Sequence, residues 1–121
     1  MKFLDDFFHI VSEANEGEYR CRVRMNPAHR IFAGHFPGNP VVPGACLIQM
    51  ASEILENHLG KKLFLQKAPH IKFKVSVKPE DELDFTFSAV TLEEDSIKAE
   101  VNVEKGETVF AKMTIRFKCS D

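Results

Sequence analysis

One imidazole in this sequence sits in a stretch of chain that leaves its backbone few alternatives. The segment Ala33-Gly-His35-Phe-Pro37-Gly-Asn-Pro40-Val-Val-Pro43-Gly44-Ala45 interleaves prolines with glycines, and a proline-constrained loop holds a side chain without ordering it anew at the reaction step. His35, with an unperturbed pKa of about 6.5, can take a proton near neutrality. Residue chemistry alone leaves a second role open, in which the ring only bonds the loop backbone. Gly44 stands where a helix is expected to begin, and the first N–H groups of a helix have no partner within it and point toward negative charge. A carbonyl docked there would be gripped more strongly as it became an enolate, which is the differential binding that catalysis requires. Taken alone, the glycine signals no more than a turn.

The elements that must position these groups follow from periodicity. Leu47, Ile48, Ala51, Ile54, Leu55 and Leu59 fall on one helical face over residues 45–59, and Gly60 offers a stop. Lys61 and Lys62 suit the partial negative charge of that end. The first half of this helix is apolar on nearly every side around Gln49, so a largely buried helix wrapped by a sheet is expected. Tyr19, Cys21, Val23 and Met25 alternate with arginines after a turn at Asn15-Glu-Gly17, the pattern of a half-exposed strand. Residues 63–65 are expected to form a short strand, and the same alternation marks runs at 71–77, 83–89, 97–103 and 109–117. Residues 3–11, with Phe3, Leu4, Phe7, Phe8 and Val11 at helical spacing, predict a short amphipathic helix. Breakers throughout 26–44 predict a rigid loop. The last strands are too closely spaced for crossover helices, so they form an antiparallel meander. The class expected is α+β, one antiparallel sheet around a central helix, in a single domain spanning 1–121.

Composition removes several function classes. Sixteen Lys and Arg against eighteen Asp and Glu give a net charge of −2, which offers no overall attraction to nucleic acid or membrane. Cys21, Cys46 and Cys119 are scattered and include no ligand pair, which favours a reducing compartment and no metal site. His29 shares the loop with His35, but no set of further ligands lies nearby. Asp5, Asp6, His9 and Glu13 interrupt the region where a signal peptide would need an apolar run, and no segment is long enough to span a bilayer, so a cytoplasmic protein is expected.

The run GHFPGNPVVPG, continuing through Leu47 to Glu53, resembles the signature of the 3-hydroxyacyl-(acyl carrier protein) dehydratases of the hotdog fold. A weaker likeness runs through APHIKFKVSVKPEDE, residues 68–82, and the alignable parts cover about two thirds of the chain. The resemblance implies a hotdog fold and removal of water from 3-hydroxyacyl thioesters to give 2-enoyl thioesters. It further implies His35 as the catalytic histidine, Gly44 as donor to the thioester carbonyl, and Phe36 and Pro43 beside it as substrate-binding residues. No intrinsic cofactor is implied; the substrate would ride on the phosphopantetheine of an acyl carrier protein or on coenzyme A. Family members usually dimerise, with the histidine from one subunit and the helical acid from the other, so a homodimer or larger homo-oligomer is expected.

The family places a carboxylate fourteen residues after the histidine, and here that position is Gln49. An amide holds a hydroxyl or a water but cannot protonate a leaving group. Loss of a general acid costs about 10² to 10⁴ in rate. Glu53, one turn on and on the same helix face, reads as a swapped acid or as a partner in a surface or dimer-interface ion pair. Two alternatives stand beside the dehydratase: a hotdog thioesterase, and a non-catalytic subunit that binds acyl thioesters or their carrier. Lys72, Lys74, Arg20, Arg22 and Arg24 are candidates for steering an acidic carrier or simply for keeping strands soluble.

Overall fold

The computed structural model describes residues 2–34, 38 and 40–120. Phe8–Glu16 (β1) and Glu18–Met25 (β2) form a hairpin, followed by a four-residue helix, Ile31–Gly34 (α1), and the central helix, Gly44–Leu59 (α2). Four strands complete the chain: Lys62–Phe73 (β3), Glu82–Glu93 (β4), Ser96–Lys105 (β5) and Thr108–Ser120 (β6). They make one antiparallel sheet in the order β1-β2-β4-β5-β6-β3. This is the hotdog arrangement expected from the sequence.

The alternation read from the sequence sets the inner face. Cys21 and Val23 of β2 pair with Phe85 and Leu83 of β4, and Val101 and Val103 of β5 pair with Met113 and Ala111 of β6. All eight are buried, and α2 lies against them through Met50, Ala51, Ile54 and Leu55. Burying a side chain of this size is worth about 1.5–3 kcal/mol, so the helix is held by its packing rather than by its termini. Its first residue follows Pro43, which makes no side-chain cap, and its end is closed by Gly60 at φ 66°, whose N–H donates to the Glu56 carbonyl. That left-handed conformation favours glycine.

Three expectations change. Residues 3–7 form a tight turn instead of a helix, with the N–H groups of Asp6 and Phe7 donating to the Phe3 carbonyl at 2.9 and 2.7 Å and Asp5 at φ 68°. From Phe8 onward the chain pairs with β2. The open edge of β2 competes for those backbone groups and overrides the local helical period. The runs at 63–65 and 71–77 are one strand that ends at Phe73, its register shifting between Leu65 and Lys67 and again between Lys67 and His70. Pro69, which has no N–H to donate, is tolerated there because β3 is an edge strand. Val77 leaves the sheet and accepts a hydrogen bond from the Val42 N–H at 2.7 Å. Within the loop, 31–34 turns into α1.

Candidate functional site

His35 and Phe36 lie outside the described residues. Gly44 is the first residue of α2 and Pro43 precedes it. With Leu47, Phe73 and Val75 they line a hollow of about 360 Å³ between the start of α2 and the chain leaving β3. The Phe73 ring lies against the Gly44 Cα: a Cβ there would stand 2.5 Å from Phe73 Cζ. Glycine therefore admits an aromatic wall beside the unpaired N–H groups of the helix start. This feature is invisible in the sequence, because Phe73 is twenty-nine residues away.

Gln49 and Glu53 line a different hollow, of about 760 Å³, between α2 and the edge strand, walled by Ala45, Ile48, Phe64 and Leu65. Gln49 Nε2 donates to Glu53 Oε2 at 2.9 Å. Glu53 is buried, and it also accepts from the Phe3 N–H at 2.9 and 2.8 Å on its two oxygens and from the Leu4 N–H at 2.8 Å. The two side chains thus share one helix face and are joined by a hydrogen bond. The acid role considered for Glu53 meets a carboxylate whose lone pairs already serve the N-terminal turn and the Gln49 amide, and a surface ion pair is ruled out by its burial.

Gly44 and Gln49 are five residues apart, and at 3.6 residues per turn they point about 140° away from each other. In this chain they line two separate hollows.

Other titratable groups are absorbed by structure. Burial pushes the Cys46 thiol up and the Cys21 thiol up to about 11, so neither offers a thiolate nucleophile near neutrality. The Tyr19 hydroxyl donates to Glu13, and its ring stacks on His58 with centroids 3.7 Å apart. Arg22 grips Asp84 through two hydrogen bonds of 2.8 and 3.1 Å, and Arg24 donates to Glu82 at 2.9 Å, which removes both from the residues available to steer a carrier. Among the described residues no group of three or more His, Cys, Asp or Glu is arranged to hold a metal, and no helix is long and apolar enough to cross a membrane.

Fold and site together define a hotdog protein whose central helix starts at an aromatic-walled hollow and carries, on another face, a hydrogen-bonded amide and carboxylate. The chain belongs to the ApeI-like family, described as ApeI dehydratase, which it matches over residues 11–114. A 3-hydroxyacyl-[acyl-carrier-protein] dehydratase FabZ of Lactobacillus helveticus is 34% identical over 121 residues, spanning 89% of this chain and 80% of that protein. The solved dehydratase heterocomplex ApeI:P of Xenorhabdus doucetiae superposes with a TM-score of 0.69 at 16% identity, covering 90% of this chain and 96% of that one. A hypothetical thioesterase of Streptococcus pneumoniae solved with coenzyme A gives 0.66 at 15% identity, covering 96% and 90%.

Proposed function

We propose that this protein is an enzyme of acyl thioesters that dehydrates 3-hydroxyacyl thioesters to 2-enoyl thioesters in a site shared by two chains. The observation that carries this reading is the divergence of Gly44 and Gln49 on α2, held in separate hollows. A second copy of the helix supplies the face that the first turns away. Membership in the ApeI-like family supports the same reaction class.

His35 takes the proton from the carbon beside the carbonyl, and the electron pair moves into an enolate whose oxygen is held by the N–H of Gly44. Collapse of the enolate breaks the bond to the 3-hydroxyl, and the imidazolium returns its proton to the departing oxygen as water. Gln49, oriented by Glu53, holds that hydroxyl. Glu53 acts by fixing the amide rather than by protonating the substrate.

An acidic carrier protein is the favoured bearer of the acyl chain. The sheet register sets Lys72 opposite Lys112, and Arg116 between Lys67 and Lys98, and among the described residues none of these makes an ion pair. Like charges placed opposite one another destabilise a sheet, and an acidic partner surface offsets that cost. Lys74 continues the strip to the hollow at Gly44.

One second reading has its own support: Gln49 in place of a carboxylate fits a binding subunit that works beside a different hotdog chain. Incubation with saturated, 3-hydroxy and 2-enoyl thioesters on carrier protein and on coenzyme A, followed by mass spectrometry, separates the possibilities. Loss of water from the 3-hydroxy species, or its gain by the enoyl species, is the expected result. Free acid from the saturated species would establish a thioesterase, and binding without conversion a non-catalytic subunit.

A further inference from the structure

The outer face of the sheet carries charges that neither the fold nor the chemistry of the thioester uses. Strand register sorts its side chains into rows that cross the strands. Lys72, Lys112 and Asn102 form one row, and Lys67, Arg116 and Lys98 another. Between them runs a third row, His70, Thr114, Glu100 and Ser88. Among the described residues none of these cations, nor Glu100, enters a salt bridge, and the chain as a whole has a net charge of −2. Lys112 and Arg116 lie four residues apart on β6, which at about 3.4 Å per residue sets the two cationic rows about 13–14 Å apart. The middle row and the Lys72–Lys112 row line a hollow of about 640 Å³. Its floor includes Thr114 and Ser88, shorter than the lysines beside them, so the face is a trough with cationic walls.

We propose that this trough seats an α-helix of an acidic partner protein, laid across β3, β6 and β5 with carboxylates along both of its flanks. A helix with its side chains is about 10–12 Å across, which fits between the rows. From β3 to β4 the sheet spans three strand spacings, about 14 Å at about 4.8 Å each, a distance that about ten helical residues cover. An extended acidic segment fits less well, because its N–H and C=O groups need a strand edge and a sheet face offers none, whereas a helix satisfies its own. Glu100 argues against a uniformly negative occupant such as a layer of lipid headgroups, which it would meet with like charge in the middle of the site. The underside of a helix can set a hydroxyl, an amide or one cation there. Lys72 adjoins Phe73, the wall of the hollow at Gly44, so a partner in the trough stands beside that hollow. That this partner is the acyl carrier rests on the reading of the chain as an enzyme of carrier-bound thioesters; the trough itself does not depend on it.

NMR titration of the isotope-labelled full chain at low ionic strength tests the proposal with three probes. One is a stapled helical peptide of about twelve residues, with Glu on both flanks and Ser beneath. The second has the same charge but its helix is broken by proline, and the third is a vesicle of phosphatidylcholine and phosphatidylglycerol. The helical probe is expected to shift the amides of Lys72, Thr114 and Lys98 and to bind about tenfold or more tighter than the other two, because its shape is set in advance. Lys112→Glu puts opposite charges across β3 and β6, so its melting temperature should hold or rise while affinity for the helical probe falls about tenfold. In Lys72→Glu/Lys112→Glu, a helical probe with Lys on one flank and Glu on the other should recover the binding that the all-Glu probe loses.

Equal affinity for the broken peptide or the vesicles, a melting temperature that falls together with affinity, failure of the charge swap, or no binding of the helical probe to the parent would overturn the proposal. No probe carries a thioester, so a parent that dehydrates nothing leaves this test intact, and an empty trough leaves the chemistry untouched.

Discussion

Glu53 is where the structure departs most from a reading of the helix as a catalytic acid with a helper, and the departure has a measurable size. Its two oxygens accept from the N–H groups of Phe3 and Leu4 and from the Gln49 amide, all within 2.9 Å. In Glu53→Gln one oxygen survives, but the other becomes an NH₂ group facing donors. Replacing a charge-assisted acceptor in this way costs about 1.5–3 kcal/mol. In Glu53→Ala both backbone donors lose their acceptor at about 1–3 kcal/mol each, so a total of about 2–6 kcal/mol is expected. At about 3–6 °C per kcal/mol for a chain of this length, Glu53→Gln should melt about 5–18 °C below the parent. Urea unfolding followed by circular dichroism, with unchanged slope, measures the free energy, and kinetics well below the transition measure the chemistry. Turnover of Glu53→Gln is expected to stay within about tenfold of the parent, because the lost charge loosens the Gln49 amide without removing a proton donor. Parent-like stability together with a fall of about 10² to 10⁴ in kcat would refute this reasoning and make Glu53 the general acid.

Gly44→Ala drives a Cβ into the half-exposed Phe73 ring; the ring can swing away, so stability should change by less than about 1 kcal/mol while kcat/KM falls about tenfold or more. The same change made in a Phe73→Ala background should cost less, and equal costs in the two backgrounds would show that the ring is irrelevant. Burial raises the Cys21 thiol from 9.0 to about 11, so the folded state keeps a proton that the unfolded chain releases: this contribution is full below 9.0 and lost as pH rises toward 11. Urea midpoints should fall across that window and fall less in Cys21→Ala, whereas a flat profile in the parent would contradict the shift. Charge reversal of Lys112 and Arg116 should lower kcat/KM for carrier-bound substrate about tenfold and leave the coenzyme A thioester unaffected, and Arg22→Ala, already paired with Asp84, should affect neither. Phe64→Asp, placed on the exposed edge strand, should halve the mass found by light scattering and abolish turnover together; a fully active monomer would exclude a shared site.

Alternation of apolar and polar residues in β2, β4, β5 and β6 made the sheet legible, because period two sends the apolar set to one face; that β4 also buries Asp84 and Thr86 on its other face was not legible. The central helix was legible for the matching reason: a run that is apolar all round has no stable place except inside. The motif around His35 and Gly44 could likewise be read in one dimension, since prolines and glycines act on the backbone they belong to. Residues 3–11 could not. Their helical spacing is real, but the unpaired edge of β2 offered more hydrogen bonds than a short isolated helix could make.

The sequence by itself determined the fold class, the buried helix and the identity of the chemical groups, all of which depend on local pattern. Tertiary structure alone decided that Glu53 is held by the N–H groups of Phe3 and Leu4, fifty and forty-nine residues away, that Phe73 closes on Gly44, and that Gly44 and Gln49 open into separate hollows. The reason is that a hydrogen-bond partner or a neighbouring ring is set by how the chain returns to a place in space, and spacing along one helix does not record what arrives from the other end of the sheet.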